Sequence, residues 1–464
     1  MKGSTYIKTG IIPEKQHYYK VQTSRGLDLK AICCYAATGF FLEDDTFWKH
    51  QKVLKPATDY EFDSQGQVKN KTPYFQWHYN PRIISFEQAL DEFEHLFETI
   101  ISEQTKGKKV ILPLSGGLDS RTQAVALAKH SHLQTYSYSF KNGYPESRIS
   151  KRIANALGVP FTSMEVPKGY LWDAIEDLAE INQCYSDFCN PRQMAFVDQY
   201  AEIGEVFSLG HWGDVLFDGM GEDVQWTTEE ELNWVLKKVV KKGGMELATR
   251  LWESWGLDGD FESYFMERIK GLLSNIDIDN TSAKLRAFKS LYWAPRWTSV
   301  NLGVFESVAP ITLPYYDNRM CEFICTIPEE YLKDRKLQIA YIQRKSKKVA
   351  NITWHQQKPF NLNNYHWNRT PYNLPYRVIS KIERELRAVV GRPHVARNWE
   401  LQFLGKENDQ QLQGWLFESG FDKLVSKEVI QEFYTNFKMK DAVWYSHSVN
   451  MLLTLAVFNK KFGS

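Results

Sequence analysis

The chain has 464 residues, of which 43% are hydrophobic and 24% are charged, so its composition is that of a soluble globular protein with two or three domains. Its formal net charge is +1, which gives no electrostatic basis for binding nucleic acid. No stretch approaches the roughly 18 consecutive apolar residues of a transmembrane helix. The polar start, Met1 to Gly10, lacks the apolar region of a signal peptide. We therefore expect no membrane partner and no nucleic-acid partner.

The six cysteines do not have the spacing of a metal site. No Cys-x-x-Cys pair occurs, and no histidine clusters with the cysteines. We therefore expect reduced thiols in a cytoplasmic protein. The cysteines are Cys33, Cys34, Cys184, Cys189, Cys321 and Cys325.

Residues 1–90 alternate between polar and apolar side chains over much of their length, which is typical of strands. We predict strands from Ile32 to Phe41 and from Asp59 to Phe62. A helix is predicted over 86–105, because its apolar residues recur on one face. Ser85 followed by Gln88 is a capping-box signature for the start of this helix.

A regular alternation of strands and helices follows this first helix. Alternating strands and helices form parallel βαβ units, so we predict an α/β fold with a doubly wound parallel sheet. Beyond about residue 226 the pattern becomes helical. The predicted strands are 110–114, 135–140, 161–166 and 206–209, and the predicted helices are 118–129, 146–157, 169–180, 192–203, 229–241, 317–326, 337–349, 371–389 and 441–457.

The most informative segment is Leu114-Ser115-Gly116-Gly117-Leu118-Asp119-Ser120-Arg121. It follows a buried strand and opens a helix, whose N-terminus offers unpaired N–H groups to a phosphate. Gly116 and Gly117 let the backbone approach an anion, and Ser115 and Ser120 add hydroxyl donors. Asp119 would repel a bare phosphate, so its presence indicates a bridging Mg²⁺. The alternative is a tight strand-to-helix turn in which Asp119 only caps the helix.

This Ser-Gly-Gly-x-Asp-Ser loop resembles the pyrophosphate loop of the ATP-pyrophosphatase (PP-loop) family, and within it the synthetase domain of asparagine synthetase. The resemblance extends from about residue 85 to the C-terminus. It implies a Rossmann-like sheet of the adenine nucleotide alpha hydrolase type, with ATP and Mg²⁺ as cofactors. It also implies that ATP is bound by residues 114–120, by Ser139 and Phe140 on the next strand, and by Gly210.

Two later segments extend the resemblance. Gly210-His211-Trp212-Gly213-Asp214 stands where the family has Gly-Glu-Gly-Gly-Asp, which implies that Asp214 is a metal ligand beside Asp119. Gln357-Lys358-Pro359-Phe360 resembles a stretch whose lysine serves adenylation, which implies a catalytic Lys358. Pro314 to Asp317 resembles the family's Pro-Phe-Leu-Asp, and Arg335, Lys336 and Gln338 precede a helix where the family also carries basic residues.

The N-terminal part departs from the family. The family's glutaminase begins with a cysteine directly after the initiator Met, whereas position 2 here is Lys2. We predict a small, β-rich, degenerate glutaminase-like domain over 1–84 and the synthetase domain over 85–464. Ammonia made from glutamine by this chain is not expected, which leaves room for a separate protein that delivers ammonia or substrate.

Other departures concern the substrate. Thr312, Pro310 and His211 replace an Arg and two Glu of the family, so plain aspartate is not the expected carboxylate. Lasso-peptide cyclases and β-lactam synthetases are relatives with similarly altered layouts. We predict His211 as the general base toward a larger amine, because a neutral imidazole suits that task. The alternative is that His211 only packs on Trp212 or bonds a loop carbonyl.

Two smaller questions stay open at the level of sequence. Glu146, at the start of its helix, has either a structural role or a role in the site. The aromatic residues Trp293, Trp297, Tyr315 and Tyr316 either line an acyl pocket or belong to the core, and the core is favoured.

Together these features imply an ATP-dependent carbon–nitrogen ligase. It would adenylate a small-molecule or peptide carboxylate, release pyrophosphate and transfer the acyl group to an amine. One alternative is a PP-loop enzyme that modifies nucleotides or tRNA. Such an enzyme would need reactive cysteines or a basic surface. The other is a non-catalytic nucleotide-binding interaction protein, which the intact loop and Lys358 oppose.

Overall fold

A computed structural model describes residues 5–21, 26–130, 132–145, 147–221, 224–391, 393–418 and 420–463. The strands are β1 Thr5–Lys8, β2 Tyr18–Lys20, β3 Gln51–Val53, β4 Thr58–Phe62, β5 Val68–Pro73, β6 Val110–Pro113, β7 Leu133–Phe140, β8 Phe161–Val166, β9 Val206–Ser208 and β10 Ile311–Thr312. The first helices are α1 Leu29–Thr38, α2 Phe86–Thr105, α3 Asp119–Ala126, α4 Ser147–Leu157, α5 Tyr170–Asn182, α6 Val197–Tyr200 and α7 Gly213–Leu216.

The remaining helices make up most of the C-terminal half, as the sequence pattern predicts. They are α8 Thr228–Val239, α9 Gly244–Ser254, α10 Phe261–Ser274, α11 Thr281–Phe288, α12 Ser299–Glu306, α13 Asn318–Cys325, α14 Glu329–Leu332, α15 Lys336–Lys345, α16 Lys347–Ala350, α17 Leu374–Val389, α18 Asn398–Phe403, α19 Lys406–Gln413, α20 Lys427–Met439 and α21 Ala442–Phe462. A π-helical segment, Lys289–Thr298, joins α11 to α12. Among the described helices, none is long and apolar enough to cross a membrane.

The central sheet is parallel and has the strand order β10-β9-β6-β7-β8. Successive units run from β6 outward through β7 to β8, and the chain then returns to place β9 and β10 on the other side of β6. The order therefore reverses between β6 and β9. In sheets of this kind, ligands bind outside the carboxyl ends of the strands at such a switch point.

Several predicted elements are confirmed. The strands predicted over 110–114, 135–140, 161–166 and 206–209 are present, and their ends differ from the prediction by no more than two residues. The helix predicted over 86–105 is α2, and the Ser85 side chain accepts a hydrogen bond from the Gln88 backbone N–H, as the capping signature predicts. Strand β6 is central and its Val110 to Leu112 are buried, which fits its continuous apolar sequence.

The strand predicted from Ile32 to Phe41 is wrong, because this segment forms helix α1. Asp28 caps its start by accepting from the Ala31 N–H, and Gly39 ends it with a φ of 80°. Ala31 to Thr38 are all buried, so the helix has no polar face. A helix that is apolar all round shows no 3.6-residue periodicity, and its sequence was therefore mistaken for a strand.

The N-terminal residues combine a small sheet with a part of the main core. Strands β1, β4 and β5 form an antiparallel sheet around Leu54, Tyr60 and Phe62. Helix α1, by contrast, packs on α9, and its side chains belong to the same hydrophobic cluster as the central sheet. The core is thus continuous across residue 84, and the domain division there stays a prediction.

The packing of α1 on α9 depends on a glycine. A Cβ atom at Gly244 would lie 2.4 Å from the Ala37 carbonyl oxygen, which belongs to rigid helix backbone. A Cβ atom at Gly271, on the exposed face of α10, would meet nothing within 4 Å. Both glycines lie in helices, and alanine is favoured there by about 1 kcal/mol.

We therefore predict opposite effects for two matched substitutions. Gly244→Ala should lower the melting temperature, because the two helices must separate to admit the methyl group. Gly271→Ala should leave the melting temperature unchanged or raise it. Thermal denaturation followed by circular dichroism checks this, and equal shifts for the two variants would contradict the close contact.

Candidate active site

A cavity of about 550 Å³ opens at the carboxyl ends of β6, β7 and β9. This is the edge of the sheet where the strand order reverses. The residues that line it are Pro113, Leu114, Ser115, Gly116, Gly117, Asp119, Ser120, Tyr136, Ser137, Tyr138, Ser150, Gln193, Leu209, Gly210, His211, Trp212, Asp214, Trp297, Thr298, Phe305, His355 and Gln356.

The predicted phosphate loop forms one wall of this cavity. The Ser115 backbone N–H donates to the Ser120 hydroxyl (2.9 Å), and the Gly117 N–H donates to the Ser115 hydroxyl (3.2 Å). These bonds fold the loop over the start of α3. A Cβ atom at Gly116 would lie 2.9 Å from the Cβ of His355, so this position accommodates only glycine without a shift. Leu118 is buried beneath the loop and anchors it in the core.

Arg121 fixes the loop to a distant part of the chain, a role that its place in the motif did not indicate. Its guanidinium is fully buried and donates to the carbonyl oxygens of Gly116 (3.0 Å), Ile352 (3.0 Å) and Thr353 (2.9 Å). Burial lowers the pKa of Arg121 to about 10. The His355 N–H also donates to the Gly116 carbonyl (3.0 Å). His355 and Gln356 thereby become part of a second wall of the cavity.

Two glycines bring the segment after β9 against Asp119. A Cβ atom at Gly213 would lie 2.4 Å from an Asp119 carboxylate oxygen, and one at Gly210 would lie 3.2 Å from the Asp119 Cβ. Between them, Trp212 has a φ of 75°, a conformation that bulky residues rarely adopt. Its indole N–H donates to the Ser290 hydroxyl (3.2 Å). This turn starts α7 and places Asp214, whose side chain is exposed, at the cavity.

Asp119 is also held by residues of the C-terminal half. It forms an ion pair with Arg335 and accepts a hydrogen bond from the Gln338 amide (3.3 Å). Gln338 also donates to the Tyr315 hydroxyl (3.0 Å), which donates to the Asp119 backbone carbonyl (3.3 Å). Burial, reinforced by the negative charge of Asp214, raises the pKa of Asp119 to about 6, although Arg335 acts to lower it. The two carboxylates therefore interact electrostatically.

These two carboxylates fit a magnesium ion that binds together with a nucleotide. No cluster of three or more His, Cys, Asp or Glu side chains within the described ranges could hold a metal. In nucleotide sites, Mg²⁺ is usually held by one or two carboxylates together with phosphate oxygens and water. Asp119 and Asp214, next to a loop of phosphate-binding type, supply that donor set.

Comparison with known protein families identifies the segment that carries this loop. Residues 92–299 match the model of the asparagine synthase family. The match covers the phosphate loop and Asp214, and it supports an asparagine synthetase-like, ATP-dependent ligase. Arg335 and His355 lie outside the matched segment of this asparagine synthase domain. The comparison with curated proteins found no match.

His211 lines the main cavity and has an unusual environment. Its ring centroid lies 6.3 Å from that of Phe305. Its Nδ1 atom is buried and has no hydrogen-bond partner in the part of the chain that the structure describes. Burial lowers the pKa of His211 to about 4, and the charge of Asp214 only partly opposes this. The imidazole is therefore neutral near neutral pH.

Lys358, Ser139 and Phe140 are not among the described residues that line the main cavity. Lys358 is half-buried and directly follows the turn His355–Gln357. The N–H of Trp354, the residue before this turn, donates to the Phe360 carbonyl (2.9 Å). Ser139 and Phe140 line a separate cavity of about 110 Å³. Tyr138 lines both cavities, so β7 borders each of them.

The aromatic cluster of the sequence divides between the cavity and the core. Trp297 lines the cavity, whereas Tyr315 and Tyr316 are buried. Trp293 stacks on Phe40 at 5.8 Å, within the interior. Glu146 lies outside the described residues.

The close approach at Gly213 generates a test of the site. Gly213→Ala should push the Asp119 carboxylate out of position, because the added Cβ would overlap it. The variant should lose most of the rise in melting temperature that Mg-ATP produces, since only ligand binding to the folded state produces that rise. Differential scanning fluorimetry with and without Mg-ATP measures this.

The matched control is Gly414→Ala, where a Cβ atom would meet nothing within 4 Å. This variant should retain the full rise. A Gly213→Ala protein that is stabilised by Mg-ATP as strongly as the wild type would show that Asp119 does not bind the metal–nucleotide complex.

Proposed function

We propose that this protein is a ligase that uses Mg-ATP to adenylate a carboxylate, releases pyrophosphate and transfers the acyl group to an amine. The observation that supports this most directly is the convergence of the Ser115–Ser120 loop with Asp119 and Asp214 on one cavity at the switch point of the sheet. The match to the asparagine synthase family adds support for ATP use and for a ligase.

The loop and the two carboxylates have separate roles in this proposal. Backbone N–H groups at the start of α3 and the hydroxyl groups of Ser115 and Ser120 bind the phosphates of ATP. Asp119 and Asp214 would hold Mg²⁺, and a metal ion there would supply positive charge to offset that of the pyrophosphate. Arg335 keeps Asp119 oriented through the ion pair, and Gln338 supports it.

For His211 the geometry favours a hydrogen-bond donor over the general base that the sequence predicts. A hydrogen on Nδ1 would be a buried donor without an acceptor, which is costly. The hydrogen therefore belongs on Nε2, the nitrogen available to a ligand. A neutral Nε2–H can stabilise the negative charge that develops on the acyl oxygen during attack by the amine.

This role predicts the behaviour of two His211 variants. His211→Ala should still form the adenylate but transfer it slowly, because the donor is lost. His211→Gln should retain much of the transfer rate, since its amide can donate but cannot act as a base. Rapid-quench measurement of adenylate formation and of transfer separates the two steps.

The pH dependence provides an independent check on His211. Its pKa is lowered to about 4, so the imidazole stays neutral as the pH falls until that value is approached. The transfer rate should therefore show no His211-dependent inflection at about pH 6 to 7, the ordinary range for histidine. An inflection there that disappears in both variants would restore the general-base role.

The catalytic cation of the adenylation step is a further element of the proposal. Lys358 lies two residues after Gln356, which lines the cavity, and the family resemblance supports it. Lys358→Ala should leave the melting temperature near normal and slow adenylate formation by about a hundredfold, as expected for the loss of one transition-state contact. The exposed Lys348 gives the control variant Lys348→Ala. Equal rates in the two variants would remove Lys358 from the mechanism.

The decisive experiment measures the products of ATP. Purified protein with Mg-ATP and a panel of carboxylates and amines should yield AMP and pyrophosphate in a substrate-dependent way. Ion-exchange chromatography distinguishes these products from ADP and phosphate. Formation of ADP, or turnover that is independent of any carboxylate, would overturn the proposal.

The cysteines do not favour the alternative of sulfur-transfer chemistry on nucleotides or tRNA. Burial raises the pKa of Cys34 to about 12, and it raises the pKa of Cys33, Cys184 and Cys189 as well. A thiol must be deprotonated to act as a nucleophile, and these thiols stay protonated near neutral pH.

A further inference from the structure

The main cavity extends beyond the two carboxylates to a wall that the nucleotide chemistry does not require. This wall, here called the aromatic wall, consists of Trp212, Trp297, Thr298 and Phe305 together with His211. Trp297 and Thr298 end the π-helical segment, and Phe305 lies on α12. The wall stands on the β9 side of the phosphate loop, opposite the β7 side where Ser137 and Tyr138 line the cavity.

The aromatic wall is held rigidly by its surroundings. The Phe305 ring meets the ring of Phe207 on β9 edge to face, with centroids 5.0 Å apart. Trp212 is fixed by its bond to Ser290 and by its contact with Trp293. These contacts anchor Phe305 and Trp212 in the core.

The formal charges that line the cavity are of one sign. Among the described residues that line it, only Asp119 and Asp214 carry a formal charge, and no lysine or arginine lines it. Arg335 is buried behind Asp119 and paired with it. A second carboxylate on the substrate would therefore leave water without gaining a cation, and it would meet two negative charges.

For an apolar group on the substrate, transfer from water into the cavity is favourable. Such a group would cover the rings of Trp297 and Phe305 and remove apolar surface from water, which is favourable. Aromatic rings also pack well against one another in offset or edge-to-face arrangements. The aromatic wall thus discriminates by charge as well as by shape.

From these observations we infer that the acyl donor is a monocarboxylic acid whose remaining body is uncharged and apolar, such as an aryl or branched alkyl group. This body lies against the aromatic wall, and its carboxylate points toward the phosphate loop. The inference rests on the proposed function, because it assumes that the cavity activates a carboxylate.

Matched pairs of acids test this inference. Hexanoate is compared with adipate, and 4-methylbenzoate with terephthalate, since each pair differs mainly in a second carboxylate. With Mg-ATP and hydroxylamine as the amine, the monoacid of each pair should give a kcat/KM for pyrophosphate release higher by roughly tenfold or more. Equal values, or a preference for the diacids, would overturn the inference.

A binding measurement separates this inference from the proposed function. Isothermal titration calorimetry follows the same acids on the full chain with Mg²⁺ and a non-hydrolysable α,β-methylene analogue of ATP. Tighter binding of the monoacids in this measurement, together with no pyrophosphate release from ATP itself in the kinetic assay, would sink the proposed function and leave the aromatic wall supported. Failure of every monoacid to bind at millimolar concentration would overturn the inference itself.

Two variants at Trp297, which is half-buried, test whether the preference for monoacids arises at the aromatic wall. Trp297→Lys introduces a cation and should reduce the preference for the monoacid by roughly tenfold or more, by improving the diacid. Trp297→Leu keeps the surface apolar and should preserve the preference. If both variants change the preference equally, the wall does not select by charge. Should Trp297→Lys fail to fold, the wild-type comparison of matched acids still decides.

Discussion

The carboxylate of Asp119 is the group on which the rest of the site depends. It is largely buried, and burial raises its pKa to about 6 even though Arg335 and Gln338 act to lower it. Its surroundings come from two distant parts of the chain: Gly213 allows the segment after β9 to touch it, while Arg335 pairs with it and Gln338 donates to it from the start of α15. Burying a charge without such partners is costly, so the position of this carboxylate depends on both parts.

Arg121 has a comparable role for the opposite wall. A single buried guanidinium satisfies three backbone carbonyl oxygens, one in the phosphate loop and two more than 200 positions away in sequence. Buried carbonyl groups need partners, and the planar fork of arginine can reach several of them at once. The loop that the family match covers is therefore completed by residues 352–356, which lie outside the matched segment. Arg121 thus joins the Ser115–Ser120 loop to the C-terminal half.

The charge distribution of the cavity links the proposed reaction with the proposed substrate. Negative charge is concentrated at Asp119 and Asp214, where a cation and phosphates are to be bound, and the aromatic wall beyond them carries none. The same apolar surroundings keep His211 neutral, because burial disfavours its charged form. A neutral donor and a neutral wall suit an acyl group without a second charge. Ser139 and Phe140 line the smaller cavity with Arg192, and Tyr138 borders both cavities.

The sequence by itself determined the parallel sheet and pointed to the Ser115–Ser120 loop, Asp119 and Asp214 as the candidate site. These features depend on local patterns: short apolar strands, helices with one apolar face, and glycines next to serine and aspartate. The sequence did not reveal that Ile32 to Thr38 form a helix, because a helix buried on all sides has no periodicity. Only the tertiary structure decided three other features. These are the hydrogen bonds of Arg121 to distant carbonyl groups, the unpartnered Nδ1 of His211, and the positions of Trp297 at the cavity and Tyr315 in the core. Each depends on which atoms lie within a few ångströms after folding, and neighbours in space are not neighbours in the chain.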